Sequence, residues 1–216
     1  MRPPARTLLA AALAAVLAAL PLPGAAAEAG AAPPETAEET RGIGGRYLLM
    51  DAAGRAVSHD DFPGYFQLIA FGYTFCPDVC PTTLAEMSVV MERLGPDAER
   101  LQPIFITVDP ERDTAANLRT YTEFFHPRIL GLTGSPELVR RAADSFRVRY
   151  EKVREPGAPP GQYAIDHSAG MFLLGPDGGY LRKFGFSTPP AEIAARIAEY
   201  LATTEQRPRP AHRARP

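Results

Sequence analysis

The chain has 216 residues, of which 45% are hydrophobic and 22% are charged. These values indicate one ordinary globular domain with appendages, and they exclude a chain that is disordered throughout. The formal net charge of −2 argues against a protein that binds nucleic acid through its phosphates, and two cysteines are too few for a disulfide scaffold or a four-thiolate zinc site.

The first 27 residues have the layout of an export signal. Arg2 and Arg6 precede an apolar run from Leu8 to Leu20, and the small residues Ala25-Ala26-Ala27 offer a cleavage site. The run is shorter than the roughly 20 residues that span a bilayer. We therefore predict a secretory signal peptide at 1–27, with a short N-terminal anchor as the alternative. Either reading predicts a periplasmic or extracytoplasmic protein, soluble or tethered to the inner membrane by this segment.

Two further segments have too little apolar content to fold. Residues 28–42 are rich in Ala, Glu, Pro and Gly and predict a disordered linker. Residues 205–216 hold four arginines and three prolines and predict a basic disordered tail, for which a membrane surface or an acidic partner is a candidate contact. The folded domain is therefore predicted at 43–204. Residues 28–206 carry 17 basic and 25 acidic side chains, a net charge of −8, so the folded body is acidic.

Within the domain, the sequence pattern predicts an N-terminal β-hairpin followed by alternating strands and helices. Residues 66–72 are apolar apart from Gln67, as in a central strand covered on both faces. Such alternation is typical of an α/β fold with a central mixed sheet flanked by helices, in a thioredoxin-like order. The predicted elements are hairpin strands 46–50 and 55–58, strand 66–72, helix 81–94, strand 103–108, a helix capped by Asp113 or Thr114 and ended by His126, strand 129–132, a helix from Pro136, extended segment 146–153, hairpin strands 169–174 and 180–186, and a helix from Pro190.

Both cysteines, Cys76 and Cys80, lie between strand 66–72 and the helix that follows it. The amides and dipole of a helix N-terminus lower a thiol pKa, and the thiolate is both a nucleophile and a metal ligand. The pair is separated by three residues rather than the two of thioredoxin-type centres, so redox exchange and metal binding both stay open. A structural disulfide is less favoured, because so short a loop restrains little chain entropy. A thiol peroxidase, suggested by Thr74, lacks an assignable arginine.

A third ligand would complete a small mononuclear site. Two soft thiolates select Cu(I), zinc or an iron–sulfur cluster, and the chain has too few cysteines for the cluster. His167 is the favoured third ligand, because we predict it on a loop before strand 169–174, at the sheet end that holds the cysteine turn. Asp78 and Asp166 are candidates for a weak further ligand or for support of the site. The other histidines are weaker candidates: His59, His126 and His212.

Four motifs follow one another along the chain. They are Gly72-Tyr-Thr-Phe-Cys-Pro-Asp-Val-Cys-Pro-Thr-Thr83, Val108-Asp-Pro-Glu-Arg-Asp113, Gly131-Leu-Thr-Gly134 and Asp166-His-Ser168. Together, and in this order, they make the chain resemble the Sco/SenC family, exported copper proteins involved in cytochrome c oxidase assembly, from about Gly42 to Tyr200.

The resemblance implies a thioredoxin-like fold with a family insertion, and one copper ion, Cu(I) or Cu(II), bound by Cys76, Cys80 and His167. It implies a metallochaperone, rather than a classical enzyme, that delivers copper to the dinuclear copper centre of cytochrome c oxidase subunit II. The alternative is a thiol–disulfide oxidoreductase in which Cys76 and Cys80 reduce the cysteines of that subunit. Further implied partners are another periplasmic copper chaperone and a thioredoxin-like reductant. For residues 109–113 turn formation and helix capping are a sufficient role.

Overall fold

The computed structural model of the protein describes residues 42–159 and 161–204. The predicted signal peptide or anchor (1–27), the linker as far as residue 41 and the tail (205–216) lie outside the described residues and stay predictions. Among the helices that the structure describes, none has the length and apolar character needed to cross a bilayer.

The described residues form nine strands and four α-helices. The strands are β1 (Leu48–Met50), β2 (Ala56–Ser58), β3 (Phe66–Gly72), β4 (Leu101–Thr107), β5 (Leu130–Leu132), β6 (Tyr150–Val153), β7 (Ala164–His167), β8 (Met171–Leu174) and β9 (Tyr180–Phe184). The helices are α1 (Val79–Leu94), α2 (Ala115–Phe125), α3 (Pro136–Ser145) and α4 (Pro190–Thr203).

Five strands form a mixed sheet in the order β5-β4-β3-β8-β9. Strands β3, β4 and β5 are parallel, whereas β8 is antiparallel to β3 and β9 is antiparallel to β8. All seven residues of β3 are buried, which confirms the prediction of a central strand covered on both faces. Strands β1 and β2 pair as the predicted N-terminal hairpin. The α/β architecture with a mixed sheet is therefore confirmed.

Helices α2, α3 and α4 begin where the sequence signals place them, whereas α1 begins at Val79, two residues before its predicted start. Ser135 caps α3 by accepting a hydrogen bond from the Leu138 N–H, and Pro136 occupies the first turn. Of the two caps proposed for α2, Thr114 is the one that accepts a bond, from the Asn117 N–H. Gly95 follows α1 with a φ of 54°, a left-handed conformation that glycine adopts without strain. Helix α1 packs against both α2 and α4.

The segment around the histidine differs from the prediction. We expected an extended segment from residue 146, but Phe146 caps α3 and the strand starts only at Tyr150. We also expected His167 on a loop, whereas it is the last residue of β7, which pairs with β6 as a separate two-stranded sheet. Only Ile165 of β7 is buried, so the segment lacks an apolar pattern, and its strand depends on pairing with β6.

The topology brings the histidine to the cysteine end of the sheet. The cysteine turn follows Gly72 at the carboxyl end of β3. Because β8 is antiparallel to β3, its first residue, Met171, pairs with Ala70 near that same end. The chain enters β8 directly from β7, so His167 arrives beside the turn.

Candidate metal centre

Three side chains from two distant segments meet at the end of β3. One ligand atom each of Cys76, Cys80 and His167 lies within 4.8 Å of the others, and His167 Nε2 is 3.4 Å from Cys80 Sγ. Among the described residues this is the one group of three or more Cys, His, Asp or Glu side chains that could hold a metal ion.

The two aspartates proposed to support the site are not members of that group. The side chains of Asp78 and Asp166 are both exposed. The backbone N–H of Asp78 donates a hydrogen bond to the Cys76 sulfur and lowers its pKa. The charge of Asp166 acts on His167 and raises the pKa of the imidazole. His59 and His126 are also outside the group, and His212 lies beyond the described residues.

The cysteine turn and the first turn of α1 hold the sulfurs in different surroundings. Cys76 is half-buried, and its N–H donates to the Tyr73 carbonyl at 3.2 Å. Cys80, inside the helix, is only 1% exposed. Asp78 stands at the N-cap position of α1 without a side-chain capping bond. The N–H groups at this helix end therefore point to the Cys76 sulfur instead of to a capping oxygen.

The pKa values of the two thiols are shifted in opposite directions. Burial by itself raises the pKa of Cys76, but hydrogen bonds from the N–H groups of Asp78 and Cys80 outweigh it, and the pKa lies below its ordinary value. Burial raises the pKa of Cys80 far above its ordinary value, and the neighbouring Cys76 raises it further. Cys76 is thus the readily ionised, accessible thiol, and Cys80 is the buried, protonated one.

Gly72 provides the space that the Cys80 sulfur occupies. A Cβ atom at residue 72 would lie 2.6 Å from Cys80 Sγ and 2.8 Å from a ring carbon of Phe105. Both distances are shorter than a van der Waals contact. Gly72, the glycine at the start of the cysteine motif, is therefore required to leave room for the Cys80 sulfur.

The His167 ring is oriented with one nitrogen toward the sulfurs. Nδ1 lies 3.1 Å from the Ser168 carbonyl oxygen, which fixes the proton on Nδ1 in the neutral ring and leaves the Nε2 lone pair facing Cys80. The Tyr73 ring meets the imidazole edge-on, with centroids 6.0 Å apart. Burial lowers the pKa of His167, although the Ser168 carbonyl and Asp166 oppose it. The ring is therefore in the neutral form that binds metals.

Asp113 braces the cysteine turn, a role that the sequence did not reveal. Its buried carboxylate accepts hydrogen bonds from Thr74 Oγ1 at 2.6 Å, Thr74 N–H at 3.0 Å and Thr107 Oγ1 at 2.6 Å. Burial raises the pKa of Asp113 in spite of these bonds. The Thr74 hydroxyl, on which the peroxidase alternative was based, donates its hydrogen bond to Asp113. In the sequence Asp113 looks like an ordinary cap residue, 39 residues from Thr74, so no local signal indicates this role.

The donor set fits copper. Two sulfurs and one imidazole nitrogen are soft or intermediate ligands, and no carboxylate joins them to favour a hard cation. A groove of about 370 Å³, lined by Arg149, Tyr150 and His167 among others, borders the site on the side of the β6–β7 hairpin. A larger cavity of about 420 Å³ lies elsewhere, between the β1–β2 turn and α2, and it contains none of the three donors.

Comparison with known proteins finds SCO2 proteins among the relatives of the chain. The chain is 38% identical over 156 residues to a SCO2-like protein of Rickettsia felis, covering 72% of this chain and 76% of that protein. It is 41% identical over 160 residues to the mitochondrial SCO2 homolog of Mus musculus, covering 73% of this chain and 62% of the mouse protein.

Solved structures agree with the sequence relatives. ScoI of Bradyrhizobium japonicum with copper bound is 42% identical, with a TM-score of 0.66 over 73% of this chain and 99% of that one. Yeast Sco1 with copper bound is 35% identical, with a TM-score of 0.68 over 75% of this chain and 90% of that one. This likeness confirms the thioredoxin-like fold, and both of these related structures hold the metal that the resemblance implied.

A family model described as SCO1/SenC matches residues 35–202, which include the cysteine turn, the hairpin and His167. The chain belongs to the SCO1/SenC family.

Proposed function

We propose that the chain binds one copper ion through Cys76, Cys80 and His167 and supplies it during cytochrome c oxidase assembly. The observation that carries the proposal is the meeting of these three donors within 4.8 Å, from segments 87 residues apart. Copper bound in related structures supports the choice of metal, and the Sco family is one of cytochrome c oxidase assembly proteins.

Copper is the cargo in this proposal, and the side chains divide the work of holding it. The lowered pKa of Cys76 favours its thiolate, Cys80 loses its proton when the metal binds, and His167 offers the Nε2 lone pair. An acceptor can approach Cys76 more easily than Cys80, which is 1% exposed. We therefore expect ligands of the acceptor to replace Cys76 first and Cys80 last.

The acceptor in our proposal is the dinuclear copper centre of cytochrome c oxidase subunit II. The proposal includes export, because the signal-like segment at 1–27 would place the protein on the periplasmic or extracytoplasmic side, where oxidation of the two thiols competes with copper loading. A thioredoxin-like reductant and a second copper chaperone would then act before it.

The test is a Cu(I) titration against a competing chelator, on reduced protein expressed from the full-length coding sequence. We expect one copper per chain, loss of tight binding in Cys76→Ala and Cys80→Ala, and intact binding in the control His126→Ala. His167→Ala should weaken binding by more than the roughly tenfold that loss of an outer hydrogen-bond partner costs. Unchanged affinity in His167→Ala would remove this residue from the site.

The second candidate is a thiol–disulfide oxidoreductase, which the opposite acidities of the two thiols favour. The Cys76 thiolate would attack a disulfide of subunit II, forming a mixed disulfide and releasing one thiol of the partner. Cys80, losing its proton, would then attack Cys76 and release the second thiol. The partner gains two electrons, and the chain ends with a Cys76–Cys80 disulfide.

The oxidoreductase predicts a different dependence on the histidine. Exchange with a model disulfide should proceed at an unchanged rate in His167→Ala, and the reduction potential of the pair should lie below that of its target. Failure of the reduced chain to exchange with any disulfide would refute it.

A further inference from the structure

The hairpin that carries His167 has few apolar contacts of its own. All of β6 is exposed apart from the half-buried Tyr150, and Ile165 is the single buried residue of β7. The two strands form a separate sheet without ladder bonds to the five-stranded one. Ile165 and the rings of Tyr150 and Tyr163 pack against the core, and polar contacts supply much of what else holds the hairpin to the rest of the domain.

The loop after β4 supplies those contacts through a fully buried carboxylate. Asp109 is 0% exposed, and its Oδ1 accepts a hydrogen bond from Tyr163 Oη at 2.8 Å, just before β7. Its Oδ2 forms an ion pair with Arg112 Nε. Arg112 Nη1 donates to the Tyr163 carbonyl at 2.9 Å, and its guanidinium carbon lies 3.7 Å from the centre of the Tyr163 ring. Asp109 and Arg112 thus hold Tyr163 by its backbone, its ring and its hydroxyl.

The same guanidinium also contacts the cysteine turn. Its central carbon lies 4.8 Å from the centre of the Phe75 ring and 5.6 Å from that of Tyr73. Tyr73 in turn accepts a hydrogen bond from the Ile165 N–H at 3.2 Å. Arg112 therefore lies between the segment that carries the cysteines and the one that carries the histidine.

We propose that Arg112, held in place by Asp109, is a positioning residue that clamps the β6–β7 hairpin to the cysteine turn and so sets the distance from His167 to the sulfurs. The inference rests on the proposed copper site. The hydrogen bonds and the ion pair of Arg112 go to Asp109 and Tyr163 and not to the three donors, so Arg112 acts through Tyr163. An arginine suits the role because its planar fork can pair with a carboxylate, donate to a carbonyl and stack on rings at once.

A double-mutant cycle separates positioning from general stability. We expect Arg112→Ala to lower Cu(I) affinity about tenfold, as loss of outer support for a ligand does. If Arg112 acts through His167, the same substitution should change affinity less than about twofold in a His167→Ala background, since interacting residues are not additive. Equal losses in the two backgrounds, or no loss in either, would overturn the proposal.

Hydrogen exchange of the copper-free, reduced protein gives a readout that does not need copper. In Arg112→Ala the amides of β6 and β7 should exchange at least about tenfold faster, while those of β3 keep their protection, because local opening is governed by local contacts. Unchanged exchange in the hairpin would refute the clamp. If the wild-type chain binds no copper, the proposed function fails, and exchange alone still decides the clamp.

Three further variants control for charge and folding. Arg141→Ala removes an arginine from an exposed ion pair with Glu137 and should change neither readout. Arg112→Lys keeps the charge but loses the fork, and it should restore only part of the affinity. Tyr163→Phe removes only the hydroxyl that bonds Asp109 and should speed exchange of β6 and β7 less than loss of the arginine does. If Arg112→Ala does not fold, Arg112→Lys decides the question: unchanged exchange of β6 and β7 in that variant would contradict the clamp.

Discussion

The two halves of the metal centre are built in different ways. Cys80 lies at the start of a long helix, directly after a strand whose seven residues are all buried. His167 ends a four-residue strand of which one residue is buried. The cysteine half is therefore fixed by the core, whereas the histidine half depends on a few polar and ring contacts, among them those made by Arg112, Asp109 and Tyr73.

Because of this contrast, we expect substitutions in the cysteine half to lower the stability of the domain more than substitutions in the histidine half. Substitutions near the sulfurs have to disturb the packing of β3, β4 and α1, so they should reduce the stability of the whole domain. Substitutions in the hairpin should leave global stability nearly intact and alter the site alone. Four predictions test this difference or examine it further, in order of expected size.

The largest expected effect is on thiol reactivity within the cysteine half. A limiting amount of iodoacetamide, applied to reduced, copper-free protein near neutral pH, should modify Cys76 about a hundredfold faster than Cys80, because the pKa of Cys76 is lowered and its sulfur is accessible, whereas burial raises the pKa of Cys80 and shields its sulfur. Peptide mass spectrometry measures the ratio. In urea-unfolded protein the two rates should be similar, and faster labelling of Cys80 in the folded protein would contradict the assigned acidities.

The second prediction concerns the brace of the cysteine turn. Asp113→Ala leaves the Thr74 and Thr107 hydroxyls without their buried acceptor and should lower the free energy of unfolding by about 2–3 kcal/mol. Tyr163→Phe, in the hairpin, should lower it by about 1 kcal/mol or less. Urea titration measures both, with the exposed Asp97→Ala as control. A larger loss for Tyr163→Phe than for Asp113→Ala would reverse the comparison.

Space beside the buried sulfur is the subject of the third prediction. Gly72→Ala places a methyl group against Cys80 Sγ and should cost about 1–3 kcal/mol of stability, as overpacking of a core does. It should also weaken Cu(I) binding. Gly185→Ala is the matched control, because the nearest atom to its new Cβ would be Thr188 Oγ1 at 3.9 Å. Equal stability of the two variants would show that the sulfur can move aside.

The smallest effect is a pH dependence from Asp113. Because burial raises its pKa in the folded state, ionisation of this carboxyl opposes folding. Relative to Asp113→Asn, the wild-type free energy of unfolding should fall as pH rises from about 4 through the raised pKa. Urea titrations of both proteins from pH 4 to 8 measure the difference. A wild-type free energy of unfolding that rises with pH relative to that of Asp113→Asn would mean that the pKa is lowered.

The sequence predicted the cysteine half more completely than the histidine half. The apolar run of β3 and the 3- and 4-residue spacing of Leu84, Met87 and Met91 are local signals, and the strand and helix formed where these signals lie. Strand β7 has no such signal, because one buried residue makes no periodic pattern. The expected topology made His167 the favoured third ligand, and the family resemblance, rather than periodicity, strengthened that choice.

The supporting residues were beyond sequence reasoning for a different reason. Asp113 contacts Thr74 from 39 residues away, and Asp109 contacts Tyr163 from 54 residues away. In the linear sequence these aspartates look like ordinary turn and cap residues. Only the fold shows that one loop reaches both halves of the site, with Asp113 on the cysteine side and Asp109 with Arg112 on the histidine side.

X-ray absorption at the copper edge tests the central claim most directly. The samples are Cu(I)-loaded wild-type protein and His167→Ala, both expressed from the full-length coding sequence. We expect two sulfur ligands and one imidazole nitrogen in the wild type, and loss of the nitrogen with both sulfurs retained in the variant. An identical ligand set in the two samples would contradict the account, because the imidazole would then take no part in holding the metal.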